Sequence, residues 1–292
     1  MEAWYEIAGI RMRWRAPFAW KHTKAFAPFM QKAAAMKADV DICFRALGKD
    51  SSCAPGSTAA TGTVLPGERY VPVAGNGKMY LGYRIYGEEC FAWMEDEGGQ
   101  ITCWYQEAAR NRLLVDRQLF YLICPEQLLN RRHGFVLHSA FVRWKGKGIL
   151  FSAPSGTGKS TQARLWEVQE GAEILNGDRT AVRKEGEQWK AFGFPFAGSS
   201  DIYRNDAAPV TAVVILRQAQ DNRLIRLHQA EAFRRIYSET TVHPWDTEFL
   251  DRLIDDLQDF LEKVPVYMLE CRPDREAVRI VKEQLEDMEN GR

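Results

Sequence analysis

Several features that would assign this protein to a class at once are absent. Its six cysteines lie far apart, without a CxxC pair or interleaved histidines, which argues against a zinc site and a disulfide framework. Basic and acidic residues number 39 each, so no net field favours nucleic acid or an anionic membrane. No apolar run approaches the length of a membrane span, and the charged N-terminus does not resemble a signal peptide. We therefore expect a soluble, cytoplasmic protein.

The chain has 292 residues, of which 46% are hydrophobic and 27% charged. These values are ordinary for a globular protein, and the length allows one large or two modest domains. Residues 1–125 are predicted to be a β-rich region without a recognisable motif, serving as scaffold or substrate platform. Alternating apolar and polar residues predict its strands at 4–12, 40–44, 79–86, 90–94 and 101–105. A short helix is expected over 24–37, and a mobile loop over 51–62.

From a boundary near Pro125 onward, strand and helix patterns alternate, which indicates a layered α/β domain over residues 126–292. A helical turn is predicted at 126–129. The predicted strands are residues 135–144, 149–151, 172–178, 211–216 and 265–271. Helices are predicted at 230–238 and 247–263, and Asp274 is expected to cap a last one.

Residues 148–166, GILFSAPSGTGKSTQARLW, are the most informative stretch. An apolar strand leads into a loop of small residues, then Lys159 and Ser160, then a helix. This order is typical of a loop that wraps phosphate groups. The pattern departs from G-x-x-x-x-G-K-[ST] at its first glycine, which is Ala153 here. A glycine-rich turn without a ligand is the alternative.

The chemistry of phosphate binding explains the residue types in this loop. Gly156 and Gly158 let backbone N–H groups approach phosphate oxygens, and the helix N-terminus adds further donors. Lys159 is expected to reach the β- and γ-phosphates of ATP, and the Ser160 hydroxyl to bind Mg²⁺. The predicted nucleotide-binding residues are Ser155, Gly156, Thr157, Gly158, Lys159, Ser160 and Thr161.

Two further residues carry candidate chemistry. Asp178 ends an apolar strand, where a carboxylate can hold Mg²⁺ or accept a proton; the alternative is an ordinary aspartate in a turn. His138 lies within a predicted strand, where a histidine is more often a core residue than a catalyst.

These features, in this order, resemble the C-terminal kinase domain of HPr serine kinase/phosphorylase and, more distantly, ATP-dependent phosphoenolpyruvate carboxykinase. His138-Ser139-Ala140 begins 21 positions before Lys159, and the family's SGxGKS is matched by residues 155–160. The resemblance covers residues 128–290. It is closest to HPr-kinase-like proteins that share LHSA, PSGTGKSTQARLW and NGDR, some of which accompany modified-peptide gene clusters. The first 125 residues do not resemble the N-terminal domain of HPr kinase.

The resemblance implies a phosphoenolpyruvate-carboxykinase/HPr-kinase-like P-loop fold with a β-rich N-terminal region. It places His138 near the transferred phosphate and makes Asp178 the proton acceptor or metal ligand, followed by Arg179. The family's Asp-Asp-Arg is Gly177-Asp178-Arg179 here, so only the second acid is present. Asp201 and Glu239 are conceivable helper acids. The missing acid argues against phosphorolysis, and the recognition signatures for HPr are not found.

The predicted function is an ATP- and Mg²⁺-dependent kinase that phosphorylates a hydroxyl, namely serine on a peptide or protein such as a co-encoded modified peptide. A small-molecule kinase for free serine or a sugar, and a non-catalytic nucleotide-binding accessory, are the alternatives. Arg179 and Arg204 are candidates for neutralising phosphoryl charge, and Trp166 and Trp245 for contacting adenine. A homo-oligomeric state stays open.

Overall fold

The computed structural model describes residues 1–32, 37–47, 69–75, 78–84 and 92–291. The chain divides into two compact units, Met1–Pro125 and Glu126–Arg292. Each unit contains one eight-stranded sheet with parallel and antiparallel neighbours. Because each unit combines a sheet with helices, the protein is of mixed α/β class. Within the described ranges, no helix combines the length and the apolar character needed to cross a membrane.

The first unit consists of eight strands and one α-helix in the described part of the chain. They are β1 (Glu2–Ile7), β2 (Ile10–Arg15), β3 (Met30–Gln31), β4 (Val40–Ala46), β5 (Tyr70–Gly75), β6 (Lys78–Tyr83), β7 (Ala92–Glu97), β8 (Gln100–Tyr105) and α1 (Asp116–Ile123). The strand order is β3-β1-β2-β4-β8-β7-β6-β5. Strands β5 to β8 are successive antiparallel neighbours and form a meander. The aromatic core includes Trp14 stacked on Phe120 of α1.

Two predictions for this unit are wrong. The single strand expected over residues 4–12 is a hairpin, because Ala8 and Gly9 adopt positive φ angles and turn the chain between β1 and β2. The helix expected over 24–37 is only a 3-10 turn, Ala27–Phe29, followed by β3. Pro28 supplies no N–H to continue a helical hydrogen-bond pattern. Residues 33–36 and 51–62 lie outside the described ranges.

The second unit contains both strands and helices, but the predicted alternation is interrupted between residues 173 and 226, where five strands follow one another. Its elements are α2 (Pro125–Asn130), β9 (Gly134–Trp144), β10 (Lys147–Ser152), α3 (Lys159–Glu170), β11 (Glu173–Asn176), β12 (Arg179–Glu185), β13 (Gln188–Phe192), β14 (Ala207–Gln218), β15 (Arg223–Arg226), α4 (Gln229–Glu239), α5 (Thr247–Lys263), β16 (Val266–Cys271) and α6 (Arg275–Glu289). The strand order is β10-β9-β12-β13-β14-β16-β15; in addition, β11 pairs with β9 and β10 with β14.

Helices cover two faces of this sheet. Leu150, Val213 and Ile215 belong to a core cluster with residues of α4 and α5. Their neighbours Ile149, Phe151 and Val214 belong to a second cluster with residues of α3 and α6. Because successive strand residues point to opposite faces, burial on both faces explains the unbroken apolar runs at 149–151 and 211–216.

Strand β9 changes its partner along its length. Residues 134–138 pair with β12, and residues 139–144 pair with β10. Strand β10 also runs parallel to β14, which runs parallel to β16. The carboxyl ends of these three parallel strands therefore lie at one edge of the sheet, where α/β proteins commonly bind ligands. His138 lies where β9 passes from one partner to the other.

Candidate functional site

The loop of residues 153–158, called the glycine loop below, connects β10 to α3. Gly156 and Gly158 have φ angles of +80° and +119°, a region that L side chains rarely adopt. Open space surrounds the position of a Cβ at both glycines. Gly158 is the N-cap residue of α3 and has no side chain. No N-cap side chain therefore accepts hydrogen bonds from the N–H groups of the first helical turn. The two glycines thus leave open space beside the backbone of the loop.

Ala153 stands where the usual pattern has its first glycine. It is fully buried and belongs to the same core cluster as Phe151 and Ala163. Its methyl group fills core space beneath the loop, which accounts physically for an alanine at this position.

Lys159 begins α3 and is only 7% exposed. Its Nζ donates to the Ala153 carbonyl at 2.6 Å and contacts the Pro154 carbonyl at 3.4 Å. Burial lowers the pKa of the ammonium, and the charges of Glu239 and Asp178 oppose that shift. The lysine is therefore held against the glycine loop with two carboxylates nearby.

His138 lies between those two carboxylates. Its Nδ1 is 2.9 Å from Glu239 Oε2, and its Nε2 is 3.4 Å from Asp178 Oδ1. The backbone of His138 is fixed as well, because the Ser152 hydroxyl donates to its carbonyl at 2.8 Å. An imidazole ring thus connects an acid on the β11–β12 turn with an acid on α4.

Asn176 holds the turn that carries Asp178. Its side-chain amide donates to the carbonyls of Phe194 and Phe196, and its carbonyl oxygen accepts from the backbone N–H groups of Asp178 and Arg179. All of these distances lie between 2.8 and 3.1 Å. One fully buried side chain therefore ties the Asp178 turn to the loop that follows β13.

The Asp178 carboxylate is partly enclosed by this arrangement. Gly198 packs so closely that a Cβ there would lie 2.7 Å from Asp178 Cγ. The contact with His138 lowers the pKa of Asp178, outweighing the effect of burial. Arg179 Nε lies 3.9 Å from the second carboxylate oxygen. Asp178 is consequently ionised at neutral pH and next to a cation.

The end of α4 brings Glu239 to the site. Thr240 forms a bridge with Leu137 of β9, and the Thr241 N–H donates to the Val136 carbonyl at 3.0 Å. These bonds dock the end of the helix beside the strand that carries His138. Glu239 and His138 are 101 positions apart in the chain, so only the tertiary structure brings them together.

Two clefts meet at Ser238 and Glu239. The larger, about 500 Å³, is lined by residues 153–157, the end of β14 and α4, including Arg217 and Arg235. The smaller, about 250 Å³, is lined by His138, Asp178, Arg179 and residues 238–241. A third cleft of about 330 Å³ adjoins Gly158, Thr161 and Gln162 near the end of β16. The glycine loop therefore borders open space on two sides.

The structure brings together most of the residues that sequence analysis selected. Ser155, Gly156 and Thr157 line the larger cleft, and Gly158 and Thr161 the third. Ser160 is exposed in the first turn of α3. His138, Asp178 and Arg179 share the smaller cleft. Of the helper acids, Glu239 contacts His138, whereas Asp201 is exposed at the end of a short 3-10 helix.

Other predictions find no support in the geometry. Trp166 cannot contact adenine where it lies, because it is fully buried against Trp144 and Phe151. Trp245 packs beside His243 before α5. Arg204 is exposed, and its backbone carbonyl packs on Gly193. For the two tryptophans, the hydropathy pattern is the same whether the side chain lies in the core or in a pocket wall, so the sequence could not distinguish the two.

Sequence analysis missed three residues of the site. Asn176 appeared only as the first residue of the NGDR phrase, with no role assigned to it. Arg235 is paired with Glu231 on α4 at 3.2 Å, and Arg217 pairs with Glu270 on β16. Both arginines lie far along the chain from the glycine loop, so no local pattern marks them.

Comparison with known proteins gives one family match. A family described as SynChlorMet cassette protein ScmC matches residues 105–274, a description that names no reaction. Among curated proteins, none matches the chain. Among solved structures, the HPr(Ser) kinase/phosphatase from Coxiella burnetii is similar at 12% identity over 52% of this chain and 97% of that chain, with a TM-score of 0.31. That likeness is weak, whereas the family match spans more than half of the sequence and includes the glycine loop, His138 and Asp178. The chain belongs to the ScmC family.

Proposed function

We propose that this protein is an ATP-dependent phosphotransferase that transfers the γ-phosphate to a hydroxyl group. The observation that carries the proposal is the meeting of the glycine loop and Lys159 with His138, Asp178 and Glu239 at one edge of the sheet. Phosphate-binding donors and a proton-accepting acid are the two components that such a transfer requires. Positioning and charge neutralisation then account for catalysis.

The glycine loop fits a triphosphate. Open space at Gly156 and Gly158 leaves room for phosphate oxygens against the backbone, and the uncapped start of α3 supplies N–H donors. The Lys159 ammonium is already desolvated and bonded to loop carbonyls. Its electrostatic interaction with an incoming phosphate is stronger there than in bulk water. Arg217 and Arg235 also line this cleft, where each is paired with a glutamate.

Mg²⁺ fits the donor set next to this loop. The Ser160 hydroxyl is exposed in the first turn of α3, and the depressed pKa of Asp178 keeps its carboxylate ionised. Hydroxyl and carboxylate oxygens are the ligand types that Mg²⁺ prefers. When bound, the ion would neutralise charge on the phosphates. We assign Ser160 and Asp178 as its protein ligands.

In the proposed transfer, the acceptor hydroxyl loses its proton as its oxygen bonds to the γ-phosphorus. The bond from that phosphorus to the bridging oxygen breaks, and the electron pair leaves with ADP. We assign Asp178 as the proton acceptor because its ionised carboxylate lines the smaller cleft. Arg179, beside Asp178 in that cleft, offsets charge on the phosphoryl group.

The smaller cleft limits the size of the acceptor. Its volume of about 250 Å³ lies below the usual range of pockets for drug-sized ligands. It suits a single hydroxyl-bearing side chain, and we propose serine of a peptide or protein. The same volume favours a second candidate, free serine or another small hydroxyl compound.

Transfer from γ-labelled ATP tests the proposal. The wild type, with Mg²⁺ and either serine-containing peptides or free serine, is expected to label one of the two fractions. Lys159→Ala should lower transfer by several orders of magnitude while the circular dichroism spectrum stays unchanged. Undiminished transfer by Lys159→Ala would falsify the assignment of the glycine loop.

A further inference from the structure

We infer that Glu239 is the second acid of this site and that it acts as a positioning residue, by orienting His138 toward Asp178. The inference rests on the proposed phosphotransferase function. It explains how a chain that lacks an acid at position 177 still presents two carboxylates around one imidazole.

Geometry supports the role of Glu239. It is the last residue of α4, and its side chain is 13% exposed. Its Oε2 lies 2.9 Å from His138 Nδ1, which is a hydrogen bond, whereas the contact of His138 Nε2 with Asp178 is longer at 3.4 Å. The shorter bond anchors the Nδ1 side of the ring. The Nε2 side is then directed at the Asp178 carboxylate.

The backbone around Glu239 is fixed independently of its side chain. The Thr240 hydroxyl donates to the Ile236 carbonyl at 2.8 Å, and Thr240 and Thr241 bond to β9. The helix end would therefore stay in place if the carboxylate were removed. An effect of removing the Glu239 carboxylate would therefore come from the lost contact with His138 and not from displacement of the helix end.

The surroundings leave His138 dependent on Glu239. The charged groups around the ring are Asp178 on the β11–β12 turn and Glu239 on α4, with Lys159 of α3 and Arg179 of β12 beside these acids. The Lys159 ammonium donates to the carbonyls of Ala153 and Pro154, and neither cation can accept a hydrogen bond from Nδ1–H in place of Glu239. A carboxylate that fixes the far nitrogen of a working histidine is a recurrent way to set its ring orientation.

Paired substitutions test the inference. Glu239→Ala removes the acceptor of the Nδ1 bond, and Glu239→Gln retains a carbonyl oxygen at the same position. With Mg²⁺, γ-labelled ATP and a mixture of serine-containing peptides, Glu239→Ala should lower kcat about 100-fold. The KM for ATP should stay within about threefold, and Glu239→Gln should recover kcat to within about threefold of wild type.

A double-mutant cycle shows whether Glu239 acts through His138. In a His138→Ala background, Glu239→Ala should lower kcat by no more than about twofold further. A full 100-fold loss in that background, or an unchanged kcat for Glu239→Ala in the wild-type background, overturns the inference. So does a glutamine variant that is no better than alanine, since orientation by a hydrogen bond would then not be the cause.

Asp256→Asn is the matched control. His133 Nδ1 lies 3.0 Å from Asp256 Oδ1, which makes a second histidine–carboxylate pair in the same unit. Asp256 lies on α5 and lines neither the larger cleft beside the glycine loop nor the smaller cleft beside His138. Its substitution should leave kcat and KM at wild-type values. A loss there equal to that of Glu239→Ala would mean that breaking any such pair impairs the unit.

A readout independent of turnover separates this inference from the proposed function. The ring-nitrogen NMR resonances of His138, assigned from a His138→Asn spectrum, should shift in Glu239→Ala and remain near wild type in Glu239→Gln. If the wild type transfers no phosphate to any acceptor, the proposed function fails. The resonances still decide whether Glu239 orients the ring, and unshifted resonances in Glu239→Ala refute it.

Discussion

The side chain of Ser200 occupies the space into which a side chain at position 177 would project. A Cβ on Gly177 would lie 2.3 Å from both the Cβ and the Oγ of Ser200, far closer than carbon atoms approach without a bond. Ser200 is itself held by its hydroxyl, which donates to the Ala197 carbonyl at 2.6 Å. The β11–β12 turn therefore accommodates one acid, Asp178, and the second carboxylate comes from α4.

Restoring the acid at position 177 should destabilise the protein. Gly177 has no positive φ angle, so the cost of Gly177→Asp is steric, and we expect a loss of about 1–3 kcal/mol in the free energy of unfolding. Combining it with Ser200→Gly should recover most of that loss. Urea denaturation of the two single variants and the double variant measures both effects. A Gly177→Asp protein as stable as wild type would contradict the close packing.

A pair of glycine substitutions separates backbone strain from ligand binding. Gly156 and Gly186 both have positive φ angles, +80° and +59°, and open space at the Cβ position. Alanine at either should lower stability by about 1–2 kcal/mol, because both hold a left-handed conformation. Only Gly156→Ala places a methyl group in the larger cleft. Calorimetry with Mg·ATP should show binding weakened more than tenfold for Gly156→Ala and unchanged for Gly186→Ala.

Asn176 should influence both stability and activity. Asn176→Ala leaves two carbonyls and two N–H groups without the side chain that bonds them. We expect the free energy of unfolding to fall by about 2–4 kcal/mol. It also releases the turn that holds Asp178, so phosphoryl transfer should fall at least tenfold at a temperature where the variant is folded. Thermal unfolding and transfer from labelled ATP are the measurements.

Asn130→Ala is the control for that prediction. Asn130 is equally buried, donates to the Phe249 carbonyl and accepts from Arg252. It makes these bonds to α5 and not to the Asp178 turn. Its loss should destabilise the unit while transfer by the folded protein stays at the wild-type rate. Equal loss of transfer in both variants would show that Asn176 acts only through global stability.

Asp256 should make stability depend on pH. Burial raises the pKa of its carboxyl, against a hydrogen bond from His133, and its Oδ2 is buried without a hydrogen-bond partner. A folded-state pKa above the unfolded value of 3.8 means that stability is complete in acid and declines as the pH rises through the folded pKa. Asp256→Asn does not ionise, so it should be more stable than wild type at pH 7 by about 1–2 kcal/mol.

Denaturation curves from pH 3 to pH 7 test this sign. The difference between Asp256→Asn and wild type should close as the pH falls below about 4. A difference that widens in acid would mean that the paired carboxylate stabilises the fold.

Most elements of the second unit were predictable because their signals are local. Helix α5 has the predicted bounds, and Asp274 caps α6 by accepting from the Ala277 N–H. Periodic apolar residues and capping side chains act within a few positions of each other. The prediction of a helix over residues 24–37 is wrong for the opposite reason, because apolar residues there contact other parts of the chain. Phe26, for example, packs on Trp14 in the aromatic core.

The sequence alone determined the strand–loop–helix around Lys159, because strand periodicity, glycines in the loop and the helical pattern all act over neighbouring residues. It also marked His138 and Asp178 as candidates. Only the tertiary structure decided that Glu239 reaches His138, that Ser200 closes position 177 and that Trp166 is core. The first depends on α4 docking against β9, and all three are contacts between separate segments, which leave no periodic trace in the chain.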